Sequence, residues 1–228
     1  MDGVLLRQIE ECKEHRENMK KILLVSMMHR VLETLKREEP DLGGKTVSYI
    51  PTAIIGEADG DAAIVNGMIK EETEMLESLG LKVDVLDVSA ASREKIFHSL
   101  TENDLIFVGG GNTFFLLQEL KRSGADRLLI REVEQGKLYI GESAGAVVAC
   151  PDIGYCDLMD APEKAPELET YSALGLVDFY VVPHLDNEEM GEGARKIIET
   201  YGDKLDLKVI TDEQAILVEG DKAEILDM

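Results

Sequence analysis

The sequence predicts an α/β protein with a doubly wound, mostly parallel sheet and helices on both faces. Three observations carry this. Strand-length apolar runs alternate with helix-length stretches through the first 150 residues, the order expected of βαβ units. The first run, Lys21-Ile22-Leu23-Leu24-Val25-Ser26, is apolar enough for a buried strand. Finally, Gly141-Glu142-Ser143-Ala144-Gly145-Ala146 follows the apolar Leu138-Tyr139-Ile140 and precedes the small-residue run Val147-Val148-Ala149, which reads as strand, tight turn, helix.

The elements follow in order. Residues 3–20 place Leu5, Ile9, Cys12 and Met19 on one side of a helix, an amphipathic extension that packs on the domain or on a partner. Residues 21–228 form one α/β domain, with no repeat or boundary inside it. After the first strand, Val31 to Arg37 reads as helix and Lys45 to Ile50 as a strand closed by Pro51. A helix from about Val65 to Leu79 ends at Gly80, a natural C-terminal stop. Lys82 to Asp87 alternates like a strand, Ser92 to Leu100 reads as helix, and Asp104 to Val108 as strand. That strand runs into Gly109-Gly110-Gly111-Asn112-Thr113, followed by helices at Phe114 to Arg122 and Ala125 to Gln135. Asp152 to Leu174, with Pro162 and Pro166, reads as a long surface connection of a kind that often binds ligands. Phe179 to His184 is expected as a strand, Glu192 to Tyr201 as a helix, and Leu207 to Asp212 as a strand. Ala215 to Val218 and Ala223 to Leu226 flank a closing hairpin turn.

Composition excludes several classes of function. The 228 residues carry 24 basic and 46 acidic side chains, a net charge of −22. Such a surface repels phosphate backbones and anionic membranes, so no nucleic-acid or membrane partner is expected. It also repels anionic substrates unless a cation is placed locally. The three cysteines are odd in number and lack metal-ligand spacing. With a charged N-terminus lacking an apolar signal core, they point to a reduced, cytoplasmic setting. No metal or cofactor is expected.

The chemistry is expected where parallel strands end. Gly-x-Ser-x-Gly at a strand-to-helix turn is a nucleophile elbow: glycine clears the space around the turn, and the serine hydroxyl is lifted above the sheet edge. Ser143 is then the nucleophile, and the Ala144 N–H points at an oxyanion. A serine needs a base, and the base needs an acid to hold its tautomer. Of the four histidines, His15 lies in the added helix, His29 just after the first strand and His98 inside a helix. His184 ends a strand and is expected on the same sheet edge as Ser143. Asp212 ranks first as the acid because a strand end holds it better than a loop would. Glu213 beside it, and Asp157 and Asp160 in the long connection, are alternatives. The Gly109-Gly110-Gly111 triplet lacks the lysine of a phosphate-binding loop and the spacing of a dinucleotide fingerprint. It reads instead as the source of a second oxyanion donor, the Gly111 N–H.

These segments, with Cys150-Pro151 and Val182-Pro183-His184 in this order and spacing, resemble the peptidase E family of aspartyl dipeptidases, with cyanophycinases as more distant relatives. The resemblance runs from about Lys21 to the C-terminus. It implies a class I glutamine amidotransferase-like fold, flavodoxin-like in its winding, with serine in place of that fold's usual cysteine. Ser143 falls on the family's nucleophile, His184 on its histidine, and Gly111 and Ala144 on its oxyanion hole. Its acid falls either on Asp212 or near Leu158, beside Asp157. The family's aspartate-recognising arginine falls at Gly193, two positions before Arg195, so Arg195 serves only with a shifted helix; otherwise specificity has changed.

The expected function is therefore hydrolysis of short peptides, with Asn112 and Arg195 as candidate substrate contacts. A small peptide is the expected partner, and the chain is expected as a monomer or homodimer. The alternatives are a silent ligand-binding protein or an amidase on acidic polymers.

Overall fold

The structure is a computed structural model and describes residues 20–59 and 61–227. The extension expected at residues 3–20 lies outside the described residues except for Lys20.

Five parallel strands build the centre: β1 (Lys21–Val25), β2 (Thr46–Ile50), β3 (Lys82–Val85), β4 (Leu105–Val108) and β5 (Leu138–Glu142). The closing hairpin, β8 (Gln214–Glu219) and β9 (Lys222–Asp227), continues the sheet antiparallel to β1. The order is β3-β2-β4-β5-β1-β8-β9. The crossovers leaving β1 and β2 run on one face of the sheet and those leaving β3 and β4 on the other, and the elbow follows β5 at the carboxyl edge.

The period-two alternation of a strand divides the apolar residues between two layers. Ile22 and Leu24 of β1, with Ile106 and Val108 of β4, pack into one core. Leu23 and Val25, with Leu105 and Phe107, pack into the other. The first layer is covered by α4 (Arg93–Glu102), α5 (Thr113–Ser123) and α6 (Ala125–Glu134), through Ile96, Leu117 and Leu129. The second is covered by α1 (Leu32–Glu38) and α3 (Ala62–Ser78), through Leu35 and Leu76. Side-chain oxygens start three of the helices: Asp61 accepts from Ala63 and Ile64, Ser92 from Lys95, and Asn112 from Phe115.

The structure differs from expectation at four places. A short helix, α2 (Thr52–Glu57), follows Pro51; it is mostly buried, so no polar face marks it in the sequence. The helix after the elbow, α7 (Ala144–Val147), is only 4 residues long. The strands expected at 179–184 and 207–212 are shorter, β6 (Tyr180–Val182) and β7 (Leu207–Val209). These two pair in parallel as a separate two-stranded sheet, so His184 does not stand on the edge of the sheet that bears Ser143. Pro183, which has no N–H to donate, follows the last residue of β6. The remaining helix, α8 (Gly191–Tyr201), lies between β6 and β7 in sequence.

Candidate active site

The elbow is built by contacts that only glycine permits. A Cβ on Gly141 would lie 2.4 Å from the Gly145 carbonyl oxygen, and one on Gly145 would lie 2.1 Å from the Val108 oxygen. Between them Ser143 takes φ 49°, ψ −108°, a positive φ that is uncommon for a side-chain-bearing residue and typical of functional turns. The turn is held by the Ser143 N–H donating to the Val25 carbonyl at 2.9 Å and the Tyr139 hydroxyl donating to the Gly145 carbonyl at 2.7 Å.

His184 arrives from the small sheet. It is 2% exposed and also has positive φ, 65°. Its backbone N–H donates to Ser26 Oγ at 3.0 Å, which pins the end of β6 to the end of β1. Its Nε2 lies 2.9 Å from Ser143 Oγ and its Nδ1 lies 2.7 Å from Asp212 Oδ1. The second oxygen of Asp212 accepts from Asn187 Nδ2 at 2.8 Å, and the Asp212 N–H donates to Asp186 at 2.9 Å. Ser143, His184 and Asp212 thus form one continuous line. With Nδ1–H donated to the carboxylate, Nε2 is left as the acceptor of the serine proton.

The other candidate acids stand elsewhere. Asp157 and Glu213 are exposed. Asp160 accepts the Thr113 N–H at 2.9 Å, and burial pushes its carboxyl up while Thr113 opposes the shift.

The glycine triplet lies against the elbow. A Cβ on Gly110 would stand 3.3 Å from Ser143 Cβ. Gly111 has φ +122°, and a Cβ there would overlap the Ala53 carbonyl at 2.3 Å. Among the described residues neither the Gly111 N–H nor the Ala144 N–H has a hydrogen-bond partner. Both are therefore available as donors beside the serine.

Two expected substrate contacts have protein partners here. Asn112 is fully buried; its side chain accepts from Phe115 and donates to the Ala161 carbonyl at 3.2 Å, so it holds the glycine turn to the long connection. Arg195 is exposed, and its Nη1 donates to the Leu185 carbonyl at 3.3 Å. Two residues earlier, a Cβ on Gly193 would meet Met159 Cγ at 2.7 Å, so the face of α8 toward the long connection is too close for an arginine. Another cation, Arg30, lines a crevice of about 410 Å³ beside Asp212 together with Asp186, Glu188, Glu189 and Glu213.

Ser26 and Asn187 were not anticipated as supports. Ser26 follows a central strand on the rim that carries Ser143, which is the one signal that could have found it. Asn187 lies in an acidic loop that gives no pattern. Among the described residues no group of three His, Cys, Asp or Glu is placed to hold a metal ion, and no helix is long and apolar enough to cross a membrane.

Comparison with known proteins gives the family and the fold. The sequence model of peptidase family S51 matches residues 22–226. An uncharacterized peptidase of Listeria monocytogenes serovar 1/2a is 45% identical over 202 residues, covering 89% of this chain and 96% of its own. One from Pasteurella multocida is 42% identical, covering 88% and 94%. Peptidase E of Salmonella arizonae is 40% identical over 114 residues, 50% of this chain and 46% of its own. A solved Listeria monocytogenes EGD-e structure named for peptidase E superposes with a TM-score of 0.83 at 42% identity, covering 92% of this chain and 99% of the other. A peptidase structure from an acI-B1 actinobacterium, 19% identical, shares the fold with a TM-score of 0.69. With its α/β fold and a family match over nearly the whole chain, the protein belongs to peptidase family S51 and is a hydrolase of peptides.

Proposed function

We propose that the chain is a serine-type dipeptidase that cleaves short peptides, with those bearing an N-terminal aspartate as the first class to test. The observation that carries the reading is the unbroken line of Ser143 Oγ, His184 and Asp212 Oδ1 at 2.9 and 2.7 Å. In this mechanism Ser143 Oγ attacks the scissile carbonyl while His184 Nε2 takes its proton. Asp212 holds the ring and stabilises the imidazolium that forms. The Gly111 and Ala144 N–H groups take the developing oxyanion, each worth on the order of 100–1,000-fold in rate. His184 then protonates the leaving amine, and water repeats the sequence on the acyl-enzyme. The chemistry draws on no metal or cofactor, and the setting proposed is the cytoplasm, with the chain as monomer or homodimer.

One observation favours a retargeted specificity. Gly193 stands where the resemblance puts the aspartate-reading arginine, and Arg195 is engaged with the Leu185 carbonyl. An aspartyl side chain would then lack its cation in a strongly acidic protein. Turnover of Asp-Leu and Ala-Leu by the wild type and by Ser143→Ala separates the readings. A wild type that cleaves Asp-Leu faster, with loss on the order of a million-fold in the variant, supports the proposal. Preference for Ala-Leu would support retargeting, and equal turnover by both proteins would remove Ser143 from the chemistry.

A further inference from the structure

Beside the elbow stand three ionisable side chains that the relay does not use: Val108 pairs with Gly141, which sets Gly109 beside Glu142, and Glu72 and Tyr49 both reach Gly109. Glu142 ends β5 and directly precedes Ser143; its Oε1 accepts the Met28 N–H at 2.6 Å, tying the elbow to the turn after β1. Glu72 comes from α3, and its Oε2 accepts the hydroxyl of Tyr49 on β2. The same Oε2 lies against the glycine loop, where a Cβ on Gly109 would approach it to 2.9 Å. Glu142 therefore stands at the base of one segment that offers an oxyanion donor, and Glu72 at the base of the other.

Among the described residues, the charges that act on this pair are of one sign. Glu142 from β5, Glu71 from α3 and Tyr49 from β2 are the ionisable groups that act on Glu72. Glu142 is opposed only by the neutral Met28 N–H. No cation is among them. Two neighbouring, partly buried carboxyls without a cation do not both ionise cheaply. Burial pushes Glu142 up to about 7; burial, and then repulsion from Glu142, pushes Glu72 up to about 8. The Tyr49 hydroxyl is pushed up strongly by burial and by both carboxyls, so it stays a donor.

We propose that Glu142 and Glu72 are a positioning pair that keeps one proton between them while the site is competent. Release of that proton to solvent drives the two oxyanion segments apart and lowers turnover. The inference rests on the serine reading above. Neither carboxyl touches the reacting atoms, so both act through the backbone of Ser143 and Gly109. The direction with pH follows from the raised values. The folded state disfavours the ionised pair, so stability is lost as pH climbs from the ordinary carboxylate range through about 8.

The test compares wild type, Glu72→Gln and Glu142→Gln from pH 6 to 10 on a dipeptide. Glutamine at 142 keeps an oxygen for the Met28 N–H but cannot ionise. The wild type is expected to lose kcat by about tenfold per pH unit beyond the pair's transition, with KM little changed, and both variants are expected to lack this limb. Superimposable alkaline limbs in all three proteins would overturn the proposal. A second measurement needs no turnover: in a Ser143→Ala background, thermal midpoints are compared at pH 6 and pH 9. The parent is expected to lose more stability over that interval than the chain also carrying Glu72→Gln, and equal losses overturn the pair. A differential loss together with no fluorophosphonate labelling of wild-type Ser143 would overturn the serine reading and leave the pair's proton in place.

Discussion

The two sources of the Ser143–His184–Asp212 line are built differently. Ser143 stands at the end of a central strand with neighbours on both sides, β4 and β1, and its turn is forced by glycine contacts within a few residues. His184 and Asp212 come from a two-stranded sheet that packs on the first core through Val181, Val182 and Ile210 and is pinned there by a few polar contacts. These include the Ser26 hydroxyl at the His184 N–H, the Cys150 thiol accepting the Val181 N–H at 3.2 Å, and the Tyr155 hydroxyl donating to the Val181 carbonyl at 2.5 Å. The proposed nucleophile is set by local backbone geometry, whereas the proposed base and acid are set by docking. Damage to the elbow, or to the His184 and Asp212 side chains themselves, should abolish chemistry, whereas damage to the contacts that dock the small sheet should loosen it by degrees.

Four substitutions probe that contrast, from the largest effect to the smallest. Asp212→Asn removes the acceptor of the His184 Nδ1–H and favours the wrong tautomer, so kcat on a dipeptide should fall on the order of 10⁴-fold. A loss below tenfold would show that another carboxylate orients the ring. Ser26→Ala leaves the buried His184 N–H without its partner and should cost about 1–3 kcal/mol in chemical denaturation. Fluorophosphonate labelling of Ser143 should slow as well, and unchanged labelling would mean that the small sheet docks without this bond. Tyr155→Phe removes the buried hydrogen bond to the Val181 carbonyl and the weaker contact with the Cys150 thiol while leaving the ring in place. A loss of about 1 kcal/mol is expected, with kcat reduced more than KM is raised. Arg195→Ala, at an exposed position away from the relay, should change turnover of Asp-Leu by less than about twofold. A tenfold rise in KM for Asp-Leu with Ala-Leu unaffected would restore Arg195 as the reader of the aspartyl side chain.

Much of this molecule is legible before any coordinates. The alternation of apolar runs through the first 150 residues locates β1 to β5 within a residue or two at most ends, because β1, β2, β4 and β5 must carry apolar side chains to two cores. Gly141, Ser143 and Gly145 announce the elbow because the steric demand there is local. Asp212 is readable as the residue nearest the imidazole only as one of several acids; distance, not pattern, separates it from Asp157, Asp160 and Glu213. Asn112 reads as a substrate contact until burial shows both ends of its amide in use.

By itself, then, the sequence determined the winding, the two-faced core and the elbow that presents Ser143, since periodicity and tight turns are properties of neighbouring residues. Tertiary structure alone decided that β6 and β7 leave the main sheet, that Ser26 and Asn187 hold His184 and Asp212, and that Glu72 lies against the glycine loop. Each of those contacts joins residues far apart along the chain, and the energy of bringing them together resides in packing and burial rather than in any local pattern.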